Sequence, residues 1–353
     1  MTPAPAMKTG RTVKVRLRAS ETELQIGSSE GGLWREEPSH TWEKQVAGGE
    51  VHVQVSDLLV QVDGEIAPTS KVRFVPEDSV FQLGDRHYRG ELIIETSGEY
   101  LKATEEVALE DYIRAVVPSE MGRHWPLQAL MAQAVASRTF ALYRTEFQGR
   151  PYLRSSDMAY RGLNAESPRT DMSVEMTGGT VLKWEGRLPP SYYHSTCGGC
   201  TSSVKDVFGE PEIPPLQGVA CGTCENSPHY HWQATLLRSD IIAALSSRGV
   251  AQVKQIRADG ADRCGRVENV IINQSRKLPA ETFRSAVGVN TIKSTIFDIQ
   301  SGKNDISFTG RGWGHGVGLC QWGARGLAEN GKSCEDILLH YYPGASLTPV
   351  ENP

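Results

Sequence analysis

The sequence predicts an α+β fold: a mixed core with a long helix, an N-terminal β region and an inserted small α/β subdomain. Three patterns carry that prediction. Period-two alternation dominates residues 11–100, apolar residues recur at helical spacing between 104 and 146, and both patterns return within 233–300. At 353 residues the chain exceeds what one compact core usually holds, so several domains or a large insertion are expected.

Met1–Gly10 reads as a disordered lead. The opening MTPAPAMKTGRTVKVRL contains no apolar h-region, so no secretory signal is visible. The run Thr12–Arg18 alternates apolar and charged residues as a half-buried strand does, and similar pieces follow at Val51–Val62, Lys71–Phe74 and Glu91–Ile94. Residues 11–100 therefore form the N-terminal β region, and nothing in them suggests chemistry. Thr104 followed by Glu105 and Glu106 predicts a helix start, a capping hydroxyl and then acids at the positive dipole end. Leu109, Ile113, Val116 and Val117 continue the helical spacing until Pro118 is expected to stop it. A second helix is predicted to open at Pro126, with Leu127, Leu130, Met131, Ala134, Val135 and Leu142 on its apolar face. The hinge between the two is Pro118–Trp125.

Residues 150–232 are loop-rich and hold four of the seven cysteines. The insertion, 233–300, carries a helical stretch at Ser239–Arg248 and alternating strands at Ile256–Ala258, Val267–Asn273 and Ile296–Ile299. Residues 101–232 and 301–353 make up the core around it. Glycine-dense Gly310–Gly323 precedes two short helices, the last opened by a capping box, Ser333 with Asp336, and ended by Pro343 and Gly344.

Composition narrows the function classes. Apolar residues are 39% and charged residues 22%, ordinary for a globular protein, while 35 glycines and 19 prolines make it turn-rich. No run approaches the roughly 18 apolar residues of a spanning helix. A net charge of −5 argues against nucleic acid and against tight binding of an anionic surface.

The cysteines give the sharpest local signal. Cys197-Gly-Gly-Cys200 and Cys221-Gly-Thr-Cys224 form paired knuckles that suit one tetrahedral, structural zinc, since four thiolates leave no position for water. A pair of disulfides in an oxidising compartment is the alternative. Cys264, Cys320 and Cys334 read as isolated, buried small side chains. His194, three residues before Cys197, either replaces a thiolate, sits in an adjacent cleft or is simply packed. His229 and His231 alternate as a strand edge does and are left out of the site.

Glu120 lies in the helix–helix hinge, where a carboxyl can face a cleft; Met121 and Trp125 beside it would raise its pKa as a general acid requires. The competing reading is an ordinary helix N-terminal glutamate. GRGWGHGVGLCQWGA, residues 310–324, is a poor dinucleotide loop, because no βαβ unit surrounds it. Its glycines instead allow close backbone approach around Trp313, His315 and Trp322, an aromatic-walled groove suited to sugar rings, unless the segment is only a packed turn.

Together these motifs resemble one family. LEDYIRAVVPSEMGRHWPLQALMAQAVASRTFALYR (109–144), YYHSTCGGCTSS (192–203), IKST (292–295), GRGWGHGVGLCQWGARGLAENG (310–331) and ILLHYYPGASL (337–347) resemble the stage II sporulation protein D (SpoIID) family, in order, over roughly residues 90–347. The resemblance implies a peptidoglycan lytic transglycosylase, a lyase that cleaves the MurNAc–GlcNAc bond and leaves 1,6-anhydro-MurNAc ends. It implies Glu120 as sole acid/base, with Arg138 and Lys293 at the family's other two catalytic positions. His194 and His315 match polar positions of the family's cleft motifs and, with Trp313 and Trp322, are expected to bind substrate. Zinc near the HSTCGG motif, here on Cys197, Cys200, Cys221 and Cys224, is also implied. So are glycan strands and a cell-wall amidase as partners, an extracytoplasmic location, and a cleft between the mixed core and the insertion. A glycan-binding module without turnover, or a zinc-stabilised scaffold for wall enzymes, is the alternative function.

A single carboxyl suffices for such chemistry. Ordinary glycosidases need two flanking carboxylates. When the muramoyl 6-hydroxyl attacks the anomeric carbon no water needs positioning, and one residue can give and then recover the proton.

Overall fold

The computed structural model describes residues 10–350, so the predicted lead falls outside the described residues except for Gly10. The fold is mixed α+β. Its helices are α1 (Leu109–Glu120), α2 (Leu127–Leu142), α3 (Pro168–Met176), α4 (Val204–Phe208), α5 (Arg238–Leu245), α6 (Ala280–Val287), α7 (Gln321–Glu329) and α8 (Cys334–Tyr341). The chain separates into two compact units, with the division falling inside α2. Of the described residues, the first unit takes 10–124, 137–181 and 348–350, and the second takes 125–136 and 182–347.

The first unit is built on two sheets. A seven-stranded sheet runs in the order Leu153–Arg154, Thr12–Glu21, Tyr100–Ala108, Glu91–Ser97, Lys71–Pro76, Gly32–Glu36, Glu43–Val46. A six-stranded sheet joins Arg86–Arg89, Val80–Leu83, Glu23–Ser28, Gly49–Ser56, Leu59–Val62 and Glu65–Ile66. Alternation explains the core: Val13 and Val15 are buried while Thr12 is exposed, and Leu101, Ala103 and Val107 turn inward on the partner strand. Trp34 stacks on Phe74 with ring centres 4.8 Å apart. The predicted strand over 51–62 is two strands, parted by Asp57 and Leu58 at positive φ.

Two boundaries differ from expectation. Thr104, Glu105 and Glu106 do not open a helix; they lie in the strand Tyr100–Ala108, with Thr104 opposite both Arg16 and Ile93. Pairing on both sides satisfies the backbone there, and buried Glu105 accepts a hydrogen bond from the Tyr160 hydroxyl at 2.8 Å. Tertiary pairing overrides the local capping signal, and α1 begins at Leu109. Nor does Pro118 stop α1. It sits inside the last turn, which ends at Glu120 with Met121 extended at φ −124° and ψ 156°.

The second unit holds two three-stranded sheets. In one, Asp305–Arg311 pairs with both His231–Leu237 and Phe297–Ser301; in the other, Val267–Ile272 lies between Ile256–Ala261 and Arg276–Pro279. They share one apolar cluster with α5 and α6, including Trp232, Ile241, Val270, Phe283, Ile306 and Phe308. A short parallel pair, Tyr193–His194 with Leu319–Cys320, joins the HSTCGG segment to the end of the glycine-rich one.

Candidate active site and cysteine centre

In the first unit Glu120 closes α1, where the last helical turn leaves its side chain half-buried. Its Oε1 accepts the Ala159 backbone N–H at 2.6 Å, so a segment far along the chain fixes one carboxylate oxygen. Met121, which follows, is buried. A half-buried carboxyl oriented by a main-chain donor can exchange a proton with a bound ligand.

Arg138 has a different setting. It is fully buried, its Nε and Nη2 donate to the two oxygens of Glu110 at 2.7 and 2.6 Å, and its Nη1 donates to the Thr180 carbonyl at 2.9 Å. The Gly179 N–H adds a third donor to Glu110 at 3.2 Å. The guanidinium therefore acts inside the protein on the first turn of α1, and reaches Glu120 only through that helix.

The second unit brings Lys293 and Trp313 together. Lys293 Nζ lies 5.3 Å from the Trp313 ring centre and 3.4 Å from His229 Nδ1, and His229 meets the Trp313 ring edge-on at 4.3 Å. The Gly314 N–H donates to the Lys293 carbonyl at 2.9 Å, which pins the glycine-rich segment to the lysine's own backbone. Burial, reinforced by Lys293, holds the His229 pKa below its ordinary value, so it stays neutral at pH 7. Trp322 stands in a second aromatic group: it meets Trp125 edge-on at 5.0 Å, and Arg325 lies over both rings. One short segment seats both groups, since Thr196 exchanges backbone hydrogen bonds with Trp313 and the Ser195 carbonyl receives the Trp322 N–H.

His194 and His315 both bond backbone groups around them. His194 is buried and its Nδ1 bonds the Val317 carbonyl at 3.1 Å. His315 Nδ1 accepts the Val317 N–H and its Nε2 donates to the Tyr193 carbonyl, which fixes the tautomer. Burial first, and then the nearby Arg266, push the His315 pKa down to about 3. Gly314 and Gly316 make this packing possible. At Gly314, φ +111°, a Cβ would lie 2.7 Å from His194 Cβ, and at Gly316, φ +84°, it would overlap the Arg266 guanidinium.

The cysteine centre departs from the predicted ligand set. Cys197, Cys221, Cys224 and Cys320 are buried, with all four sulfurs within 4.8 Å of one another. Cys200 is not among them; it forms a disulfide with Cys264, Cα–Cα 5.7 Å. Gly198 and Gly199, at φ +80° and +122°, reverse the chain between Cys197 and Cys200 and send the second side chain away. Cys320 takes the place through its pairing with His194. Cys334 is buried, as expected.

The donor set fits a tetrahedral thiolate site. Zinc–sulfur bonds of about 2.3 Å imply sulfurs about 3.8 Å apart, and Cys197 and Cys224 already lie at 3.5 Å. The Cys197 and Gly323 N–H groups point at Cys320 Sγ, at 3.2 and 3.4 Å, and the Tyr341 hydroxyl lies 3.1 Å from Cys221 Sγ. Hydrogen bonds from neighbouring thiols hold Cys221 far below the usual thiol range, whereas burial holds Cys320 above it.

Sequence reasoning passed over His229, Cys320 and Ala159. His229 was visible only as part of an alternating SPHYHW run, and Ala159 contributes through its backbone. Cys320 had one usable signal, its place inside the glycine-rich motif.

A family model described as "Stage II sporulation protein" matches residues 97–184, which contain Glu120 and Arg138. An uncharacterized protein of Brachyspira hyodysenteriae is 31% identical over 274 residues, covering 76% of this chain and 74% of its own length. Stage II sporulation protein D of Bacillus amyloliquefaciens is 28% identical, with 71% of this chain and 77% of that protein covered. The Amidase enhancer of Bacillus subtilis is 26% identical, over 67% of this chain and 40% of its own.

Proposed function

The chain belongs to the stage II sporulation protein D family, and from that membership and the geometry around Glu120 we propose that it is a peptidoglycan lytic transglycosylase with Glu120 as its sole acid/base. The observation that carries the reading is the anchored carboxylate at the end of α1, with one oxygen held by the Ala159 N–H.

The reaction balances on that one group. Protonated Glu120 gives its proton to the glycosidic oxygen as the bond from that oxygen to the muramoyl C1 breaks. The muramoyl 6-hydroxyl attacks C1, its proton passes to Glu120, and a 1,6-anhydro ring closes without water. The acid is restored for the next cycle. Arg138 is a positioning residue here, because its donors are spent on Glu110 and the Thr180 carbonyl. Lys293, Trp313 and His229 form a cationic, aromatic surface suited to the hydroxyls and apolar face of a sugar ring.

Cys197, Cys221, Cys224 and Cys320 would hold one zinc. When bound, zinc would supply structural cross-linking only, because four thiolates leave no open coordination position. The Amidase enhancer relative supports a link with a cell-wall amidase. Incubating the chain with purified peptidoglycan and reading the released ends by mass spectrometry tests the reading. Anhydro ends are expected, reducing ends would mean a hydrolase, and no release would favour a glycan-binding module.

A further inference from the structure

Most buried or half-buried arginines of the first unit are spent on carboxylates. Arg73 is paired with Glu37, Glu91 and Glu106, Arg89 with Glu166, Arg138 with Glu110 and Arg144 with Asp157. Three arginines nearer the surface are not: Arg123 and Arg161 are exposed and Arg86 is partly exposed. Arg86, Arg123 and Arg161 converge, with Asp85 and Asn164, on an open cavity of about 320 Å³ that Pro118 also lines. Arg86 reaches Asp85 only at 4.0 Å, and the Asp85 side chain is 87% exposed. Arg123 touches the Asn164 carbonyl at 3.5 Å, and Arg161 has no ion pair among the described residues. Three arginines thus line one concavity, and Asp85 is the one carboxylate among the residues that line it.

Two chain connections place this cavity beside Glu120. Pro118 lies two residues before Glu120 on α1, and Ala159, which donates to Glu120, lies two residues before Arg161. Residues two apart have Cα atoms within about 7 Å. A guanidinium presents paired N–H donors that match a carboxylate. We propose that the cavity is a subsite for a substrate carboxylate, borne either on the lactyl group of an unsubstituted muramoyl residue or on a peptide attached there. The proposal rests on the transglycosylase reading for its substrate and adds a charge requirement that this reading does not contain.

The test is calorimetric titration of the full chain, in a Glu120→Gln background that prevents turnover, with three tetrasaccharides of alternating N-acetylglucosamine and N-acetylmuramic acid. One carries free lactyl carboxylates, one their methylamides, and one attached peptides. At least one acidic ligand is expected to bind about 10-fold or more tighter than the methylamide, the effect of one charged hydrogen-bonding partner. Arg123→Gln with Arg161→Gln should erase that advantage and leave methylamide binding unchanged, which also shows that the variant is folded. Loss confined to the peptide-bearing ligand assigns the peptide carboxylate, and loss for the free acid assigns the lactyl group. The proposal is overturned if neither acidic ligand has an advantage that depends on the arginines. Release of anhydro ends by the wild-type chain is read separately, so the subsite and the transglycosylase reading can fail independently.

Discussion

Arg138 and Glu110 form a two-pronged ion pair in which neither side chain meets solvent, with both oxygens of Glu110 engaged at 2.6 and 2.7 Å. It ties the C-terminal half of α2 to the first turn of the helix that ends at Glu120. Removing one partner strands a buried charge, which typically costs about 3–5 kcal/mol. Arg138→Ala should therefore lower the unfolding midpoint sharply, whereas glycan affinity of the folded fraction should change little. Joint replacement, Arg138→Met with Glu110→Leu, should recover most of the stability. Wild-type stability in Arg138→Ala, with weakened glycan binding, would instead make the arginine a substrate contact.

The cysteine centre predicts a clear asymmetry between Cys320 and Cys200. Metal analysis of protein purified without chelator should find about one zinc per chain, the stoichiometry of a single tetrahedral thiolate site. Cys320→Ala should lose the metal, and Cys200→Ala should keep it. The reverse pattern would restore the knuckle pair read from spacing.

Much of this was legible in the sequence, because period-two and helical spacings report burial directly. Thr12–Arg18 alternates and is a strand; Leu127–Leu142 is the expected helix, but it is buried well beyond the expected apolar face, with Gln133, Ser137, Arg138 and Thr139 buried and Leu127 and Met131 only partly so. The failures have one physical source, long-range pairing. Thr104–Glu106 has a local capping signature but lies between two strands. Cys200 has knuckle spacing but turns toward Cys264, and Cys320 enters from a distant segment. The hinge around Glu120 drew attention to it, but its proposed role came from the family resemblance, and the main-chain donor that fixes its carboxylate has no sequence signature.

The glycine-rich segment should tolerate no side chain at two positions. Gly314→Val and Gly316→Val combine an unfavourable positive φ, about 1–2 kcal/mol, with overpacking of about 1–3 kcal/mol, against His194 and Arg266 respectively. Gly222→Ala, at φ +66° with nothing within 4 Å, carries only the first cost. Thermal melts should rank Gly222→Ala well above both valine variants. Equal midpoints for all three would reduce the segment to an ordinary turn.

His315 makes stability depend on pH. Its folded pKa of about 3 lies below the unfolded value of about 6.5. Below pH 6.5 the unfolded chain takes up a proton that the native chain refuses, so stability falls with decreasing pH until about 3. Each unit of that window is worth up to about 1.4 kcal/mol. His315→Gln should lose less stability than wild type between pH 7 and pH 4.5, by up to roughly 2–3 kcal/mol in denaturant titrations. Buried Glu105, whose pKa burial raises, works in the opposite direction and is common to both proteins. Parallel pH curves would mean that His315 takes up its proton without opening the fold.

The central claim is that one carboxyl, Glu120, both gives and recovers the proton. Glu120→Gln keeps the shape and retains an oxygen for the Ala159 N–H, but it cannot transfer a proton. The direct measurement is the rate of anhydro-muramoyl end formation from purified glycan strands by Glu120→Gln and wild type, followed by mass spectrometry. A fall of at least roughly 10²–10⁴-fold is predicted, as is usual when a general acid–base group is lost, with glycan binding retained. Anhydro ends formed at the wild-type rate by Glu120→Gln would contradict the account.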